Sequence, residues 1–144
     1  MKTAKELGIT QKQFNNLLTL AKFLDNKKNL PKDVTFNMLK HSEDDKDKSQ
    51  TTCGNVGDAV GFAPFAGIEK LSGESWLEFA YRSFVNNADQ YNWMFSYSWR
   101  YIDNAPKGAS KRIMWFLTNG VPENFDRQRY GIDRRCYTTS HLNK

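Results

Sequence analysis

Thiols and imidazoles are scarce in this chain: its 144 residues include only Cys53 and Cys136, and only His41 and His141. A disulfide-stapled secreted fold needs a denser cysteine framework, and a zinc site would have to gather all four of these residues from distant segments. No metal site is expected, and the two thiols are read as free in a reducing cytosol. Long apolar runs are missing as well. No segment approaches the length of a membrane span, and the polar Lys2, Thr3 and Lys5 do not open a signal peptide. Catalytic constellations are equally thin. There is no paired histidine for phosphodiester cleavage and no nucleophile motif, and Glu43, Asp44, Asp45 and Asp47 crowd one polar loop with Lys46 and Lys48 rather than framing a two-metal site. The expectation is a protein that is not an enzyme and carries no cofactor.

What the chain does have is aromatic mass and positive charge. Aromatics make up 14% of a composition that is only 39% hydrophobic, so a few large side chains must carry the core. The length suits one domain, residues 1–144. Twenty-one Lys and Arg against 16 Asp and Glu leave a charge of +5, which favours an anionic partner such as a nucleotide or nucleic acid.

Spacing predicts an α+β, mostly helical fold with about four helices and one or two short strands. Thr10 with Gln13 has capping-box spacing, followed by Phe14, Leu17, Leu18, Ala21 and Leu24 at helical intervals, which gives a helix near 11–25. The one-turn Thr3–Ile9 segment before it reads as a docking face or terminal arm. Val34 to Leu39 reads as a strand. Gly54, Gly57, Asp58 and Gly61 would share one stripe of a helix near 54–63, leaving a groove where a ligand's phosphate could approach backbone N–H groups. Its glycines fit neither a P-loop nor a dinucleotide fingerprint. Ser75 with Glu78 opens a helix near 76–86 over Trp76, Leu77, Ala80, Tyr81, Phe84 and Val85. Tyr91, Trp93, Phe95, Tyr97, Trp99 and Tyr101 occupy every odd position, which as a strand would build one aromatic face, a core wall or a platform for stacked bases. Pro106 starts a helix near 106–119 whose inner stripe is Ala109, Ile113, Met114 and Leu117 and whose first turns carry Lys107, Lys111 and Arg112. Arg127, Arg129, Arg134 and Arg135 give the C-terminal tail phosphate-gripping guanidinium groups.

Four separated motifs also resemble a family of small phage and bacterial proteins. They are Cys53, Gly54, Val56, Ala59, Gly61 and Pro64; then Gly73-Glu-Ser-Trp76; then Trp93 and Phe95; and finally Asp103, Asn104, Pro106, Gly108, Ala109, Arg112 and Ile113. The resemblance spans about Phe36 to Gly120. Asp58 and Phe62 stand where the pattern has a second Cys and a His, and Ala105 replaces its Thr, so a metal held by that pair is not expected here. The resemblance implies a phage anti-CBASS sponge that sequesters cyclic dinucleotides such as 3′,3′-cyclic GMP–AMP in the host cytoplasm without cleaving them. The nucleotide-binding residues expected on this basis are Phe62, Phe65, Tyr97, Trp99, Arg100, Lys107, Lys111, Arg112, Arg127 and Arg129. Trp93 and Phe95 then fall to the core, and residues 91–101 become an irregular thread between two helices. A homodimer is left open as the enclosing unit. The competing expectation is a basic accessory protein for single-stranded nucleic acid or a host protein.

Overall fold

In the computed structural model, residues 1–32, 35–36, 56–96, 99, 103–123 and 125 are described. The architecture is α+β and mostly helical. In chain order it runs α1 (Ala4–Leu7), α2 (Gln11–Asp25), a 3-10 turn (Lys27–Asn29), β1 (Thr35–Phe36), β2 (Val56–Gly57), α3 (Ala59–Phe62), a second 3-10 turn (Ala63–Ala66), α4 (Trp76–Ser83), α5 (Ala88–Phe95) and α6 (Pro106–Asn119). β1 and β2 pair in parallel, Thr35 opposite Val56 and Phe36 opposite Gly57. No described helix is long and apolar enough to cross a membrane.

The caps explain most of these starts. Thr3 with Glu6, Thr10 with Gln13 and Ser75 with Glu78 each form a complete capping box. α2 lies along α6, and the small residues Ala109 and Ser110 let the two approach, so that the Ser110 hydroxyl donates to the Ala21 carbonyl at 2.7 Å. Leu17, Leu20, Ala21 and Leu24 meet Ala109, Ile113, Phe116 and Leu117 in the core these helices share.

Several expectations are corrected. The helix near 54–63 is the shorter α3, because Gly57 is spent in β2 and Asp58 caps the helix, its carboxylate accepting from the Gly61 N–H at 2.8 Å. Gly57, Asp58 and Gly61 therefore form no common stripe, and residues 53–55 lie outside those described. The helix near 76–86 stops at Ser83. Phe84 leaves the helical region, and Asn87 starts a new helix by accepting from the Gln90 N–H at 2.9 Å. Leu77, one of the apolar residues of α4, is 51% exposed.

The largest correction concerns the aromatic alternation. Residues 91–95 are helical, not extended, and a helix sends odd positions to different sides. Tyr91 and Phe95 are one turn apart, with ring centres 5.9 Å from each other, and they reach Tyr81 and Phe84 of the α4 region. Trp93 points the other way, towards Trp99 and Phe125. Of the strand expected over residues 34–39, only Thr35 and Phe36 are described, and both are in β1.

Candidate anion-binding site

Two side chains expected to bind ligand are brought together: Trp99 and Arg112. The Arg112 guanidinium carbon lies 4.2 Å from the centre of the Trp99 ring, a close cation–π stack. Trp99 is fixed in turn. Its indole N–H donates to the Trp93 carbonyl at 2.8 Å, and its ring meets Trp93 edge-on at 5.5 Å. Trp93 closes the loop by donating its own indole N–H to the Arg112 carbonyl at 3.2 Å. The backbone of α6 and two indoles therefore hold one guanidinium in place.

That guanidinium is poorly satisfied. Arg112 has no exposed surface, its Nε reaches the Met94 carbonyl only at 3.5 Å, and both terminal nitrogens are buried without a hydrogen-bond partner. Burial pushes its pKa down to about 9, partly offset by the negative charge of Asp103. At neutral pH it remains a cation, with donors left over for an acceptor.

Asp103 stands at the start of the same helix. Ala105 occupies the N-cap position and offers no side-chain cap, so the Asp103 carboxylate accepts from the Ala105 N–H at 3.3 Å. The Asp103 N–H donates to the Trp99 carbonyl at 2.8 Å, tying the cap to the stack. The carboxylate packs directly on Gly108, where any Cβ would collide with it. Gly108 and Arg112 are one helical turn apart and share a face of α6.

The remaining expected residues are distributed differently. Lys107 and Lys111 are exposed on α6, away from the buried Arg112. Phe62 is buried and Phe65 half-buried, packed with each other and, through Phe62, against Phe36. They form a separate aromatic cluster, not a wall facing Arg112. Phe62, Trp99 and Arg112 are thus corrected from open contact surface to enclosed side chains, because their apolar area is covered by neighbouring elements. Tyr97, Arg100, Arg127 and Arg129 lie outside the described residues. Asp103 and Gly108 were visible in the sequence as part of a motif, but spacing alone assigned them no role at the site.

Two cavities among the described residues are less suited to an anion. One of about 450 Å³ is lined by Glu6, Asp89 and Glu123 against the single side-chain cation Lys2. The other, about 290 Å³, has Lys12 and Arg82 beside Glu69, and Arg82 is already paired with Glu74 at 2.6 Å. Among the described residues no cluster of His, Cys, Asp and Glu could hold a metal ion. The chain matches no protein-family model, no curated protein and no solved structure.

Proposed function

We propose that the protein is a non-catalytic nucleotide-binding module that sequesters a cyclic dinucleotide, such as 3′,3′-cyclic GMP–AMP, in the host cytoplasm and so blunts an anti-phage signal. The observation that carries this reading is Arg112, a buried guanidinium stacked on Trp99 with two unused terminal nitrogens. A phosphate is the acceptor best matched to such a fork, because two parallel N–H groups meet two of its oxygens. Charge-assisted donors in a low-dielectric setting are worth more than the same donors in water. Lys107 and Lys111, on the outer face of α6, add long-range attraction for an anion arriving at that helix.

The seat is closed in the free protein. Binding has to uncover Arg112, and the fraction of molecules already open divides into the intrinsic affinity. Sequestration requires nothing more than tight holding.

The test is a thermal-shift and calorimetry screen with 3′,3′-cyclic GMP–AMP, linear dinucleotides and mononucleotides. A thousandfold excess over Kd should stabilise the fold by about 4 kcal/mol, and heat denaturation of the complex should return the ligand intact. No shift with any cyclic dinucleotide defeats the reading; a linear product replaces sequestration with catalysis. Affinity for single strands that falls steeply with salt, together with no response to small nucleotides, would favour a nucleic-acid accessory role.

A further inference from the structure

We infer that the Asp103 carboxylate is an internal competitor for the ligand's phosphate, occupying the start of α6 in the free protein and yielding it when an anion binds at Arg112. The inference rests on the reading of Arg112 as a phosphate donor and adds a built-in control on that same site. Three observations converge on it. A helix of 14 residues presents the positive end of its dipole and the first-turn N–H groups of Lys107 and Gly108 at its start, where Pro106 has no N–H and Ala105 gives no side-chain cap. One turn further along the same face lies Arg112, fully buried, with two terminal nitrogens that have no partner. Between these sources of positive potential the chain places an anion of its own: the Asp103 carboxylate, accepting from the Ala105 N–H at 3.3 Å and lying directly on Gly108.

The fit is a specific one. Only a residue without a Cβ at position 108 leaves room for the carboxylate. Yet Asp103 makes no ion pair with Arg112 within 4.0 Å among the described residues, so the two charges attract without satisfying the guanidinium's donors. A phosphate, larger and with more acceptor oxygens, can face the helix start and the guanidinium together. Asp103 is also joined to Trp99, backbone N–H to backbone carbonyl at 2.8 Å, which ties the segment carrying the carboxylate to the residue whose ring stacks on Arg112.

Asp103→Asn is the discriminating variant. It keeps an oxygen for the Ala105 N–H and removes the negative charge; Asp103→Ser offers a second replacement acceptor if the first variant folds poorly. Binding of pyrophosphate and of 3′,3′-cyclic GMP–AMP is measured by calorimetry on the full chain. Removing a competing unit charge should tighten pyrophosphate binding on the order of tenfold. The gain should vanish in Asp103→Asn/Arg112→Met, as coupling through one site requires. Equal or weaker pyrophosphate binding by both Asp103 variants overturns the inference, as does a gain that survives loss of Arg112. If cyclic GMP–AMP binds the wild type and Asp103→Asn equally, the sequestration reading stands and the competitor falls. If pyrophosphate binding tightens while no cyclic dinucleotide binds either protein, the competitor stands and the sequestration reading falls.

Discussion

Arg112 is the residue whose energetics bear most on function. An unpaired buried cation is costly to hold, and its depressed pKa expresses that cost. Because the folded-state value lies below the unfolded one, the folded protein binds fewer protons between them. The destabilisation is then fully present below about pH 9 and is relieved as pH rises through it. Arg112→Met, similar in length and apolar, should leave the melting temperature unchanged or higher at neutral pH while abolishing phosphate binding. Its advantage over wild type should hold up to about pH 9 and shrink as pH rises above it, measured as paired denaturation curves. A loss of more than about 2 kcal/mol in Arg112→Met would instead make the guanidinium a structural prop. Trp99 behaves oppositely. It is fully enclosed and donates to the Trp93 carbonyl, so Trp99→Ala should cost about 3–5 kcal/mol, and calorimetry on that variant would test folding before it tested stacking. Glu74 and Arg82 supply an ordinary surface contrast. The Arg82 hydrogen bond lowers the Glu74 pKa, so their small contribution is present above the usual carboxylate range and is lost on acidification.

At the scale of elements, caps were the most legible signal and faces the least. Thr10 with Gln13 and Ser75 with Glu78 fixed two helix starts, because a capping box is purely local chemistry. Asn87 with Gln90 has the same spacing and starts α5, but the alternation of aromatics from Tyr91 onward argued for a strand and masked it. Period two is ambiguous when every large side chain finds some cover, since a helix among other helices can bury several of its sides. Gln13 carries a further surprise. Beyond its capping role, its amide donates to the Tyr81 and Val85 carbonyls and to Asn86, at 2.9–3.2 Å, bridging α2 to the α4–α5 junction. Gln13→Ala should therefore cost more than Thr10→Ala: about 1 kcal/mol for a lost cap, against that plus about 1–3 kcal/mol for buried acceptors left bare. Chemical denaturation of both variants reads the difference. Gly108→Ala would stabilise an ordinary helix by about 1 kcal/mol, yet here the new Cβ must displace the Asp103 carboxylate, so much of that gain should be lost. Adding Asp103→Ala to Gly108→Ala should recover part of that loss.

For the whole molecule, the helical class, the α2 and α6 spans and the inward face of α6 could be read from sequence, whereas the site could be read only in its parts. Lys107, Lys111 and Arg112 are neighbours in the chain, but the turn angle of a helix exposes two and buries the third, and no composition argument anticipates which. The pairing of Trp99 with Arg112 depends on how the chain returns from α5 to α6, a tertiary fact. The N-terminal segment is integral to this assembly: the Lys2 N–H donates to the Leu117 carbonyl, Asn86 donates to that of Gly8, and Gln90 to that of Leu7. Removing residues 1–9 should uncover Phe116, which lies beside Lys2, Glu6 and Leu7, and lower the melting temperature by several degrees, as seen by circular dichroism. The perpendicular indoles of Trp93 and Trp99 have a last consequence, an optical one. Two such chromophores in van der Waals contact couple their electronic transitions, and the guanidinium above one of them sets its local electric field. Near-ultraviolet ellipticity and tryptophan emission should therefore change when an anion engages Arg112, giving the protein a label-free signal of its own occupancy.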